Sequence, residues 1–169
     1  MNYALLSFLW ISTAGLFLNI ATGLRLFRIA EPLRLHVVVG VCAGAAAVAA
    51  HLWAALYFTG VGRRLGKAVE AWESDVRERI RSRVQETRRK ILPGIVAACL
   101  VLPAALILGW SLYAGLVSKT AHSMAAYLAV IVHVHVSVRE TLALFRQADL
   151  IEEVDDLARR KSDSAEISG

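Results

Sequence analysis

Five histidines carry most of the chemistry that this sequence could perform. They are His36, His51, His122, His133 and His135, and each lies in or at the end of a long apolar run. A neutral imidazole offers one nitrogen to iron or another redox metal while a hydrogen bond holds the other. Ionisable side chains are costly in a lipid interior and usually face the inside of a helix bundle. His36 and His122 both sit within about one turn of the same end of their runs, so they can meet at one height. On a helix, His51 stands ~22 Å beyond His36 and is rotated by ~60°. His133 stands ~16 Å beyond His122 with a rotation of ~20°, and His135 ~20 Å beyond it with a rotation of ~140°. His135 thus matches His51 in height, and His133 matches it in direction. One metal centre is easier to build from this spacing than two. The alternative role for these histidines is packing and hydrogen bonding.

The elements that must position them are long helices. Four runs can cross a hydrocarbon core, which takes ~20 residues: Tyr3–Leu24, Leu33–Thr59, Leu92–Val117 and Thr120–Leu142. Hydrophobic residues make up 57% of the 169-residue chain, above the ~45–50% usual for a soluble domain. The first run has no basic leader and exceeds a signal peptide's ~7–15-residue core, so it reads as a retained helix. A lipid-embedded backbone must satisfy its own hydrogen bonds, which favours helix. The expected fold is an all-α membrane protein, a four-transmembrane-helix bundle with helices extended into the cytoplasm. Gly40 and Gly44 form a small-xxx-small pattern that lets helix backbones approach. Pro93 opens the third run, and Pro103 lies inside it.

Two histidines on the second helix and three on the fourth give the chain its one family likeness. It resembles the four-helix membrane cytochromes b, in which paired histidines on the second and fourth helices hold hemes across the bilayer. The resemblance covers the transmembrane part only. It implies heme b, with His51 and either His133 or His135 as the first ligand pair and His36 with His122 as the second. It also implies an electron-transfer or accessory subunit rather than an enzyme in itself.

The stretch between the second and third runs is patterned. Leu65, Val69, Trp72, Val76, Ile80 and Val84 recur at three or four residues, a helical stripe. One unbroken helix of ~25 residues would span ~37 Å, whereas neighbouring bundle helices lie only ~10 Å apart. The stretch 61–91 therefore reads as a helical hairpin with its tip near Ser74 and Asp75; the alternative is a basic helix lying flat on anionic lipid. Asp75 and Glu78 have capping-box spacing, with Asp75 as N-cap. A single domain over 1–158 results. The segment 159–169 lacks apolar period and reads as a disordered tail.

Charge sets orientation. Of the 19 Lys and Arg, 15 lie in the hairpin or from the inner end of the fourth run onwards, and four at the opposite end. The positive-inside rule then puts both termini and the hairpin in the cytoplasm, with the chain in a bacterial inner membrane. Acidic residues interleave the basic hairpin, which argues against nucleic acid. The expected partners are the lipid bilayer and protein subunits in the membrane or cytoplasm. Cys42 and Cys99 form no CxxC pair and read as small packing residues. Asn19, Thr22 and Ser137 are candidates for hydrogen bonds between helices. Arg139 and Glu140 read as a local ion pair or a quinone-side proton group. No phosphate loop, HExxH or GxSxG motif is present. The leading functional expectation is a heme-b-binding membrane subunit passing electrons in a respiratory or quinone-linked complex. The alternative is a non-catalytic scaffold that recruits a partner through its cytoplasmic stalk.

Overall fold

The computed structural model describes residues 2–24 and 32–167. It is an all-α four-helix bundle: α1 (Tyr3–Gly23), α2 (Pro32–Ala68), α3 (Ser74–Tyr113) and α4 (Lys119–Ile167). All four helices are long and apolar enough to cross a membrane, which marks the chain as a membrane protein. Their apolar residues on the outside, such as Ile11, Leu56, Leu100, Ile107 and Ile131, suit contact with lipid tails.

Small residues set how the helices pack. Ala43, Ala47, Ala50 and Ala54 are buried along one face of α2, bringing its backbone close to its neighbours. Consecutive helices pack against one another, and α4 returns to α1. α2 also touches α4 directly, whereas no contact joins α1 and α3 among the described residues. The bundle is therefore flattened so that α2 and α4, which run in the same direction, meet across the centre. Gly40 and Gly44 serve different partners: a Cβ on Gly40 would stand 3.0 Å from the Asn19 amide of α1, and one on Gly44 2.9 Å from Leu106 of α3.

α1 has 21 residues, against 37, 40 and 49 in α2, α3 and α4. The three longer helices continue past it as a stalk with its own core of Leu65, Val69, Ile80, Leu150 and Val154. Glu153 of α4 pairs with Arg79 (3.2 Å) and with Arg83 of α3. The turn between α2 and α3 spans residues 69–73, one step before the tip placed from sequence. Glu73, not Asp75, is the N-cap of α3, and its side chain makes no capping bond. Asp75 instead lies in the first turn, where its carboxylate complements the helix dipole. Pro93 does not open a helix; it lies inside α3 with Pro103, because the stalk and the apolar run form one continuous helix. α4 likewise remains helical to Ile167, through the segment that lacks apolar period in sequence.

Candidate functional site

At the centre of the bundle four side chains from three helices form one hydrogen-bonded chain. α2 brings in His51 between Ala50 and Ala54; α4 brings in His133 and Glu140, two turns apart on one face; α1 brings in Thr13. His51, His133 and Glu140 are fully buried and Thr13 nearly so. Both carboxyl oxygens of Glu140 lie 3.0 Å from Nδ1 of His51. Nε2 of His51 lies 2.9 Å from Nδ1 of His133. Nε2 of His133 lies 2.8 Å from the Thr13 hydroxyl, which donates to the Leu9 carbonyl at 2.8 Å. The two imidazoles are edge-to-face, with centroids 5.0 Å apart. No buried charge goes unpaired here, as the low dielectric demands.

A second histidine pair lies towards the Lys119 end of the bundle. His36 of α2 and His122 of α4 have ring centroids 6.4 Å apart and planes at 78°. Nδ1 of His36 donates to the Asn19 carbonyl at 3.0 Å, which leaves the lone pair on Nε2. Thr22 stands beside the same nitrogen at 3.4 Å. Nδ1 of His122 is buried without a hydrogen-bond partner among the described residues. Each ring rests against a glycine. A Cβ on Gly23 would come within 2.8 Å of Cε1 of His36, and one on Gly109 within 2.9 Å of Cε1 of His122.

The sequence-derived residues thus fall into two pairs and one outlier. His51 meets His133, and His36 meets His122. His135 is exposed on the outer face of α4, two residues and about 200° away from His133. Glu140 forms no local pair with Arg139, which is exposed; its partner is His51 of α2. Thr22 does meet His36 across helices, but Asn19 does so through its main-chain carbonyl; its side-chain Oδ1 is buried without a hydrogen-bond partner among the described residues. Ser137 is fully buried, but its hydroxyl has no hydrogen-bond partner. Thr13 carries no signal in the sequence, since a threonine within an apolar run is commonplace.

The two pairs differ in their fitness for a heme iron. With a metal–imidazole bond of about 2.0 Å and a nitrogen roughly 1.1 Å from its ring centre, two rings on opposite sides of one ion stand about 6.2 Å apart. The His36–His122 spacing is close to that figure, and among the described residues no protein group engages Nε2 of His36 or Nδ1 of His122. In the His51–His133 pair the rings are closer by more than an ångström. All four of its ring nitrogens already bond to protein, so this arrangement leaves none for a metal.

These features define a class: a four-helix membrane bundle with histidine pairs between its second and fourth helices. Comparison with family models, with curated proteins and with solved structures finds no match for this chain.

Proposed function

We propose that this chain is a heme-b-binding integral membrane subunit that passes electrons within a respiratory or quinone-linked complex. His36 and His122 are its iron ligands. The observation that carries this reading is the near-perpendicular His36–His122 pair at 6.4 Å. The Asn19 carbonyl supports it, since a hydrogen bond on the far nitrogen fixes the tautomer and orientation a ligating histidine needs. Bis-imidazole iron supplies one-electron exchange between its ferrous and ferric states. Gly23 and Gly109 leave the room that the two rings occupy. The concentration of Lys and Arg at the stalk end supports a cytoplasmic stalk and cytoplasmic termini in a bacterial inner membrane.

The test is the visible spectrum of the dithionite-reduced protein purified after heme-replete expression. A sharp alpha band is the expected result. It is lost in His36→Ala and in His122→Ala and retained in His135→Ala. A colourless protein would overturn the assignment. The stalk supports the second reading, a non-catalytic accessory subunit that recruits a partner. Its three helices have their own apolar core outside the part that α1 covers. A colourless but stable protein that still co-purifies with a subunit through the stalk selects that reading.

A further inference from the structure

The chain from Leu9 to Glu140 fixes where its protons must be. The Thr13 hydroxyl and the Leu9 carbonyl are 2.8 Å apart, and two oxygens at that distance need a hydrogen between them. A hydroxyl has one hydrogen, so Thr13 donates to Leu9 and accepts from His133. Nε2 of His133 therefore carries a hydrogen. Nδ1 of a neutral His133 is then an acceptor, so Nε2 of His51 donates to it. At the far end Glu140 meets Nδ1 of His51. A carboxylate there requires a hydrogen on Nδ1 as well, making His51 an imidazolium; a neutral His51 requires a protonated Glu140. The equal 3.0 Å distances to both oxygens suit an imidazolium N–H shared between them. Either way the Glu140–His51 pair holds one proton more than a carboxylate beside a neutral imidazole, and the cluster is electrically neutral.

We infer that the Glu140–His51–His133–Thr13 chain is a buried proton-binding site, which takes one proton from water and returns it to water by reversing its hydrogen bonds. In the unloaded state Nδ1–H of His51 donates to the Glu140 carboxylate, Nδ1–H of His133 donates to Nε2 of His51, and the Thr13 hydroxyl turns from Leu9 to donate to Nε2 of His133. That state has three N–H or O–H hydrogens and a net charge of −1. The loaded state has four and a net charge of zero. Loading keeps the hydrogen between Glu140 and His51 and reverses the other two bonds. An uncompensated charge is costly in the bundle interior, and the Thr13–Leu9 hydrogen bond is the contact that belongs to the loaded arrangement. Among the described residues His51 is the charged partner of Glu140; Cys99 of α3 lies within electrostatic reach, and α1 contributes Thr13 and Ser12. Towards the stalk, Gln147 on α4 supplies the next buried polar group, and its Oε1 has no hydrogen-bond partner. Proton relays built of Asp, Glu and His are a recurrent use of ionisable residues inside membranes. The inference is independent of heme at His36 and His122.

The test is nitrogen NMR of ring-labelled histidine in the lipid-reconstituted protein, prepared without added heme and titrated from mildly acidic to alkaline pH. On the acidic side of the titration His133 is expected as the neutral Nε2–H tautomer, and His51 carries a hydrogen on Nε2. Raising the pH converts both to neutral Nδ1–H tautomers in one step, with the loss of one proton. In Glu140→Gln, which keeps the shape but removes the carboxylate, His51 stays neutral across the neutral and alkaline range and that step disappears. A His51 whose ring hydrogens stay the same across the whole range in the wild-type protein would overturn the inference. So would a His133 tautomer that stays fixed while His51 titrates. Both of these outcomes are read on the unmutated chain, so they stand even where Glu140→Gln fails to fold.

Discussion

His51 and Glu140 lie 89 positions apart in the chain, yet both carboxyl oxygens of Glu140 stand 3.0 Å from one ring nitrogen of His51, with both side chains fully buried. The contact ties α2 to α4 at the centre of the bundle. Breaking a buried, hydrogen-bonded pair by removing one partner costs about 3–5 kcal/mol. Glu140→Ala is therefore expected to destabilise the bundle by about 3 kcal/mol. The double mutant with His51→Ala should show a coupling energy of about 1–3 kcal/mol. Reversible unfolding in mixed micelles measures both. Additive single-mutant effects would mean that the pair contributes nothing as a pair.

His133 and His135 should behave as opposites. His133 holds two hydrogen bonds in the core, and His135 is exposed on the lipid-facing side. His133→Ala leaves unpaired polar groups on His51 and Thr13, each worth about 1–3 kcal/mol when buried. His135→Ala should stay within about 0.5 kcal/mol of wild type. Thermal unfolding of the two variants side by side distinguishes them.

The glycines behind the second histidine pair should be intolerant of side chains. A Cβ at Gly109 would lie 2.9 Å from the His122 ring, nearer than real Cβ contacts approach. Gly109→Val should displace His122 and reduce bound heme to the level of His122→Ala, while leaving the tautomers of His51 and His133 unchanged. Heme content and the histidine NMR spectrum read the two effects separately. Full heme occupancy in Gly109→Val would remove His122 from the ligand set.

The stalk should melt independently of the membrane part. Ile80 is fully buried in the stalk core, whose residues are separate from those of the membrane cluster. Ile80→Ala should cost about 2–5 kcal/mol. It should open the turn at residues 69–73 to limited proteolysis while the membrane helices stay protected. Uniform protection would show that the stalk core is dispensable. Neutralising Glu153 should have a much smaller effect that fades with added salt, since its pairs with Arg79 and Arg83 are solvent-exposed.

Orientation has its own check. Reporter fusions after Gly62 and after Gly169 should read as cytoplasmic, and a fusion at Glu31 as external. Opposite signals from Gly62 and Gly169 would contradict an even number of crossings between them.

Much of the fold was legible in the sequence because its causes are local. Apolar run length sets the four helices, and the Leu65–Val84 stripe sets the hairpin. The cap of α3 was misread because Asp75 suits the first helical turn as well as the cap. The sequence beyond residue 158 has no apolar period, so nothing in it signals that the helix of α4 continues to Ile167.

The sequence by itself determined that histidines lie on the second and fourth helices and that two of them can share one height near one end. It could not choose between His133 and His135, since direction and height favoured different residues. Only the tertiary structure decided that. The buried alanines of α2 let it reach α4 directly, and the packing put His133 and Glu140 inside and His135 outside. The same packing supplied Thr13 from a third helix. A hydrogen bond between residues 120 positions apart depends on helix tilt and rotation together, and no local pattern encodes either.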